Sequence, residues 1–210
     1  MNFNVLYAAI QAELNDFGSR TGTRIVEWIN EGHKFICQSR RWSFLRIRKS
    51  DQITIAPAGF PFNIETGIKV ATIATAAKSI QQIWDVTDGT YQPVEQSTLE
   101  QIRDHFPSET GVSDSPLFWY YNDGNTISVF PETSDSRIFI FSFEKKVSSY
   151  APGSTAAMLI PDESIDVLQE YVLFKAYLYK SDDRATLFAE SYKNQLNAMI
   201  TAESNKAGII

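Results

Sequence analysis

Two residue pairs in this chain have types and spacing that suggest chemistry. His33 and Cys37 stand four residues apart on a predicted helix, close enough to touch. A Cys–His pair works as a nucleophile system when the imidazole is oriented and can take the thiol proton. Nothing in the sequence supplies that orienting group, and a buried cysteine on an amphipathic helix serves equally well as a small core residue. The other histidine, His105, falls at a predicted helix end near Pro107. The second pair is Asp182-Asp183, with Asp85 and Asp88 as a looser counterpart; paired carboxylates can bind a cation or share acid–base work. At a helix start and in a turn, the same residues serve as a cap and as turn formers. The spacing of a zinc-binding His-Glu-x-x-His is absent, as are the phosphate-cradling Gly-x-x-x-x-Gly-Lys and Gly-x-Gly-x-x-Gly patterns. The expectation is a protein with no catalytic, cofactor or metal residues, and not an enzyme.

A less ordinary feature is the mixture of cations and aromatics formed by Arg40, Arg41, Trp42, Phe44, Arg46, Arg48 and Lys49. It has three readings: a grip on a nucleic-acid backbone with stacking, a solvated helix end with Trp42 and Phe44 in the core, or a contact with an acidic protein partner. Charge narrows the choice. Residues 1–50 hold eight Lys/Arg against four Asp/Glu, and the remainder eleven against twenty-one, for a net charge of −6. An acidic whole argues against broad nucleic-acid binding, while a local basic patch can still meet phosphate or an acidic surface.

These residues are carried by a helix–sheet–helix order. Leu6, Ile10, Leu14 and Phe17 recur at helical spacing over 4–17, and Gly18 is a stop signal. Thr23 can cap a second helix over 24–39, with Ile25, Trp28, Ile29, Gly32 and Phe35 or Ile36 on its apolar stripe. Gly32 costs roughly 1 kcal/mol relative to Ala in a helix interior, so a close helix–helix contact is expected there. Strands are predicted at 52–56, 68–76 and 80–86, with Pro57, Gly59 and Pro61 breaking the chain between the first two. Phe60 and Phe62 in that break are either packed down or exposed as contacts. Ser97 and Glu100 form a capping-box pattern for a short helix ending near His105. Runs 117–121 and 126–130 flank Asn122-Asp123-Gly124-Asn125, a hairpin signal, with Pro131 as its end. The apolar run Ile138–Phe141 inside strand 137–145 implies cover on both faces, and these last three strands read as an antiparallel meander. A helix from about 161 carries Ile165, Leu168, Val172, Ala176 and Tyr179 on one stripe. A last helix over 184–202 carries Phe188, Tyr192, Leu196 and Met199.

Each outer helix has one apolar face to bury. The economical solution is α+β: residues 1–46 and 158–203 form an antiparallel helical bundle, 47–157 a β-rich insertion of antiparallel sheet or sandwich type, and 204–210 a flexible tail. At 210 residues, 43% apolar and 21% charged, the chain can bury a core without a disulfide or metal staple. The lone Cys37 fits a reducing compartment. No run of about twenty apolar residues appears, and the start lacks a signal-peptide pattern, so a cytoplasmic protein or a particle assembled in the cytoplasm is expected, without membrane contact.

The order of pieces resembles a known family. Arg41-Trp42-Ser43-Phe44-Leu45 closes the first helix pair. Ser-Pro-Leu-Phe-Trp-Tyr-Tyr-Asn-Asp-Gly-Asn-Thr-Ile-Ser-Val-Phe-Pro (115–131) is followed by the apolar strand 137–143, and Ile160-Pro161 opens the long helix. This is similar to the head-to-tail connector or adaptor proteins of tailed bacteriophages, over about residues 1–200. The resemblance implies a structural virion protein at the head–tail interface, assembled in the host cytoplasm. It implies a homo-oligomeric ring, of twelve copies to match the portal, that sits below the portal protein, docks a tail or nozzle protein, and passes DNA without holding it. The Arg40–Lys49 cluster would then pair with acidic surface on a neighbour or the portal, and Phe60, Phe62 and Tyr91 would be subunit contacts. Residues 203–210, ending in Ile209 and Ile210, would be either a segment that reaches into the portal or a frayed terminus. Another phage tail or baseplate module is the alternative, followed by an unrecognised enzyme or nucleic-acid-binding protein.

Overall fold

The computed structural model describes residues 1–16, 18–71, 73–105, 117–121, 123–130 and 135–207. Phe17, Pro107, Asn122, Pro131, Ile209 and Ile210, all named above, lie outside the described residues. The fold is mixed α and β and divides into two compact units, residues 1–45 with 147–210, and residues 46–146.

The first unit is helical. Helix α1 (Phe3–Leu14) starts where the Asn2 side chain accepts the Val5 N–H at 2.9 Å. It buries Phe3, Leu6, Ile10 and Leu14. Its end is set by Asn15, which adopts a left-handed conformation (φ 45°) and returns its N–H to Ala12 and Gln11. Gly18, expected to stop this helix, instead begins α2 (Ser19–Gln38) as its N-terminal flanking residue. The expected cap Thr23 therefore sits inside α2, where its hydroxyl donates to the Ser19 carbonyl at 3.1 Å. The physical reason is that an asparagine tolerates the left-handed region and so ended the first helix early. Helix α4 (Ile165–Tyr179) is buried on more than one stripe: Val167, Tyr171, Leu173 and Tyr177 are covered as well as Ile165, Leu168, Val172 and Ala176. It is packed by α1, by α2 and by α5 (Arg184–Ala207), so its apolar surface is consumed on three sides. Tyr179, assigned to the buried stripe, is half exposed and tilts against Trp28 at 5.8 Å between ring centroids.

The expected contact at Gly32 is present. A Cβ built there would lie 2.7 Å from Leu168 Cδ1 and 2.9 Å from Tyr171 Cε1, so only glycine lets α2 approach α4 this closely. Helix α5 continues five residues past its expected end, and residues 204–207, assigned to a tail, are its last turn.

The second unit is built on an eight-stranded sheet. Two nine-residue strands, β6 (Ala77–Asp85) and β10 (Arg137–Lys145), pair antiparallel along its middle. On the far edge of β10 lie β1 (Arg46–Ile47) and β2 (Ile53–Ile55). On the other side follow β7 (Gln92–Gln96), β8 (Phe118–Tyr121), β9 (Thr126–Phe130) and β3 (Phe62–Asn63). A separate two-stranded ribbon pairs β4 (Lys69–Val70) with β5 (Ile73–Ala74), splitting the single strand expected over 68–76. The hairpin β8–β9 forms, with Asp123 Oδ1 accepting the Asn125 and Thr126 N–H groups at 2.8 Å.

The expected meander does not form. β9 gives its second edge to β3, and β10 goes to β6 instead. The long run Phe139–Phe143 is fully buried, and a strand that apolar is best satisfied at the sheet centre beside the other long strand. β7 and β8 pair in parallel, another departure from an all-antiparallel sheet. Between them, α3 (Leu99–His105) is capped one residue later than expected. Thr98 Oγ1 accepts the Gln101 N–H at 3.2 Å while Gln101 Oε1 accepts the Thr98 N–H at 3.1 Å, so the reciprocal box is Thr98–Gln101, not Ser97–Glu100.

Candidate partner-binding surfaces

The two chemical pairs are absorbed into structure. His33 is 1% and Cys37 3% exposed, and Cys37 Sγ lies 3.8 Å from His33 Nε2. Burial lowers the His33 pKa to about 4 and raises the Cys37 thiol to about 12. Both groups are therefore neutral at pH 7, and the pair holds no thiolate to attack a substrate. The His33 ring packs edge-on against Tyr150 at 5.1 Å.

Asp85 is buried and bonded on both oxygens. Oδ1 accepts from the Thr87 N–H (2.9 Å) and hydroxyl (2.6 Å), and Oδ2 from Arg137 Nη1 at 2.8 Å. Burial pushes its pKa up, but the Thr87 bonds and the Arg137 charge outweigh it and hold the carboxyl below its usual range. Asp88 is an exposed turn residue. Asp182 accepts two hydrogen bonds from the Arg184 side chain (3.0 and 2.7 Å) and one from its N–H (3.0 Å), which hold its pKa at about 2 and fix the start of α5. Asp183 is exposed beside it. His105 is the last residue of α3. Among the described residues no group of His, Cys, Asp and Glu is placed to hold a metal ion, and no helix is long and apolar enough to cross a membrane.

The basic cluster is divided between the units: Arg40 and Arg41 belong to the helical one, and Arg46, Arg48 and Lys49 to the sheet. Its aromatic members are core residues. Trp42 is 1% exposed, stacks on Phe44 at 5.6 Å and donates its indole N–H to the Ile36 carbonyl at 2.6 Å. Arg40 is also engaged, its Nη1 donating to the Ile200 carbonyl (3.1 Å) and the Ser204 hydroxyl (2.9 Å). Arg41, Arg46 and Arg48 are exposed. Lys49 places its ammonium 4.2 Å from the centre of the Tyr91 ring, and Tyr91 is 52% exposed. Phe60 and Phe62 are packed down. Phe60 meets Phe139 edge-on at 6.0 Å, and Phe62 stacks on Phe141 at 5.5 Å, both half-buried against the sheet core.

Ser43, within the Arg41–Leu45 motif, and Glu203, at the start of the candidate segment 203–210, are joined to each other, a pairing the sequence does not indicate. The Glu203 carboxylate, 9% exposed, accepts the Ser43 N–H through Oε1 and the Ser43 hydroxyl through Oε2 at 3.0 Å. A signal was present: Glu203 falls at helical spacing after Leu196, Met199 and Ile200, on the face that packs inward. A carboxylate in that position requires a partner.

Taken together, the described groups make cores, caps and exposed cationic surface, which suits a protein that acts through contacts. A search of curated proteins returned no match. The model of one family, the SU10 adaptor proteins, matches residues 1–208, and the chain accordingly belongs to that family of bacteriophage head-to-tail structural adaptors.

Proposed function

We propose that this protein is a virion component that forms a ring beneath the portal, extends the DNA channel and offers a platform to the tail. The observation that carries this reading is the family match along residues 1–208. In this reading the helical unit is an antiparallel bundle and the sheet unit its insertion. The ring has twelve copies to match the portal and assembles in the host cytoplasm. Each contact is weak alone, and the contacts sum because a closed ring engages many at once. The net charge of −6 suits a channel that passes DNA without gripping it.

The groups available for partners are the exposed cations Arg41, Arg46, Arg48 and Lys49, with Tyr91 beneath Lys49. Arg40 is spent within the helical unit, and Phe60 and Phe62 within the sheet core, so they support contacts indirectly, by holding those surfaces in shape. Residues 203–210 are the segment proposed to reach the portal, with Ile209 and Ile210 as apolar anchors. The test reverses Arg46 and Arg48 together to Glu and measures co-sedimentation with purified portal rings. The reading expects binding to fall with the charge reversal; undiminished ring formation and portal binding would refute the role of these cations.

A further inference from the structure

The turn that joins α4 to α5 is Lys180-Ser181-Asp182-Asp183, and it contains neither glycine nor proline. It closes α4 through the Asp182 N–H, which donates to the Tyr177 carbonyl at 3.0 Å, and the Ser181 N–H, which donates to the Leu178 carbonyl at 3.1 Å. This closure puts Ser181 in the left-handed region, φ 53°, at a position that glycine usually fills. Asparagine tolerates that region, as Asn15 does at the end of α1, whereas the serine Cβ is crowded there. Nothing covalent in the four residues bars a helix, so α4 and α5 can also run on as one. Flanking the turn are the two most exposed large apolar side chains among the described residues, Leu187 at 67% and Leu178 at 56%, with Tyr179 beside them. The α4–α5 contact is aromatic, Tyr177 stacking on Phe188 at 5.0 Å and Tyr192 meeting Tyr171 edge-on at 5.3 Å. It also holds two buried oxygens without a hydrogen-bond partner, Glu170 Oε2 and the Tyr192 hydroxyl, and opening the contact gives both to water.

We infer that α5 is exchangeable between copies of this chain: with the turn straightened, α5 of one copy docks on α4 of a second, and the second copy returns its own. The exchange rebuilds the same α4–α5 contact between chains, so its buried apolar surface is kept. What changes is the hinge, where Ser181 leaves the left-handed region for the helical one; a short hinge under strain favours such an exchange. The two straightened hinges run side by side about a two-fold axis, and the side chains nearest them are Leu178, Tyr179 and Leu187, which are left exposed in the single chain. A second copy is therefore the partner that both relieves the turn and covers the apolar residues around it. Two ion pairs hold the closed turn, Lys180 with Asp16 at 3.1 Å and Arg184 with Asp182 at 2.7 Å, and make the monomer the resting form at low concentration. Pairs this close to solvent contribute little each, so the closed turn is held lightly. The inference concerns α4 and α5 alone and does not rest on the adaptor reading.

The experiment uses the full chain. Light scattering after size exclusion first reads the dimer-to-monomer ratio of the wild type, Ser181→Gly and Ser181→Ala, each refolded from urea over a concentration series. Ser181→Gly removes the crowding at positive φ and should lower the ratio about tenfold or more, and Ser181→Ala, the better helix former, should raise it about threefold. Monomer alone at every concentration in all three proteins, or a ratio that ignores position 181, would overturn the exchange. Thiol pairing then identifies the dimer, with Cys37→Ala in every chain so that no other thiol is present. The Glu170 carboxyl faces the Ser191 side chain across the α4–α5 contact. Chains carrying Glu170→Cys are mixed in urea with chains carrying Ser191→Cys, refolded together and oxidised. The double variant, which bridges within one chain, shows that the two thiols meet, and each single variant oxidised alone sets the background. A disulfide between the two different chains well above that background supports the exchange. A dimer that carries no such disulfide, while the double variant bridges fully, would overturn it.

Discussion

Gly32→Ala tests the packing of the helical unit with a single carbon. In an exposed helix interior this change stabilises by about 1 kcal/mol, because glycine loses more backbone freedom on folding. Here the added Cβ would meet Leu168 Cδ1 at 2.7 Å and Tyr171 Cε1 at 2.9 Å. Neither neighbour can yield. Leu168 is fully buried, and Tyr171 is wedged by its hydroxyl on Glu31 (2.8 Å), by Phe35 stacked at 6.4 Å and by Tyr192 edge-on at 5.3 Å. Overpacking of this kind costs about 1–3 kcal/mol. Against the propensity gain, we expect a net loss of up to about 2 kcal/mol and a Tm lower by up to several degrees, at roughly 2–4 °C per kcal/mol for a chain of this size. Gly22→Ala is the internal control on the same helix. Its Cβ would meet Tyr7 Oη at 2.6 Å, the far end of a flexible, half-buried side chain that can swing aside. That variant should be neutral or stabilised by up to about 1 kcal/mol. Urea unfolding followed by circular dichroism at 222 nm reads both, with an unchanged slope showing that stability alone has moved. Equal effects of the two substitutions, or stabilisation by Gly32→Ala, would refute the close-approach argument.

Asp85→Ala should destabilise by about 2–3 kcal/mol, since it strands Arg137 and removes the acceptor for both Thr87 donors; urea unfolding of the variant measures this. The Asp85 carboxyl is held below its usual range, so its contribution is present above the unfolded-state value near 4 and is lost as pH falls through the lower folded value. His33 titrates lower in the fold, at about 4 against 6.5. The unfolded chain therefore gains a proton first, and stability should fall as pH drops from about 6.5 towards 4, by roughly 2–3 kcal/mol; in His33→Gln that part of the slope should vanish in a pH series of melts. Cys37, buried with its thiol raised to about 12, should react with a disulfide reagent at pH 8 only at the rate of unfolding, and at once in denaturant.

The helices were legible because an amphipathic face repeats within a few residues of itself. Leu6, Ile10 and Leu14, and then Ile25, Trp28 and Ile29, mark the buried faces of α1 and α2 directly. Their ends were less so: Asn15 and Gly18 are both competent stops, and only the backbone shows that the asparagine took the left-handed position. Strand pairing is non-local. The run Ile138–Phe141 told that both faces of β10 are covered, but not that its neighbours are β6, β1 and β2. Among the candidate contact residues, charge and aromaticity were visible while engagement was not. Arg40 and Arg46 look alike in the sequence, yet one is bonded to α5, some 160 residues away, and the other is exposed. Glu203 carried a readable signal, a carboxylate on an inward-facing helix stripe, whose partner Ser43 no local pattern could name.

Electron microscopy of the purified protein, with and without the cognate portal ring, tests the central reading most directly. The account predicts a ring of this chain stacked coaxially on the portal, with its C-terminal end at the contact. Bare portal rings beside a chain that stays monomeric throughout would contradict it.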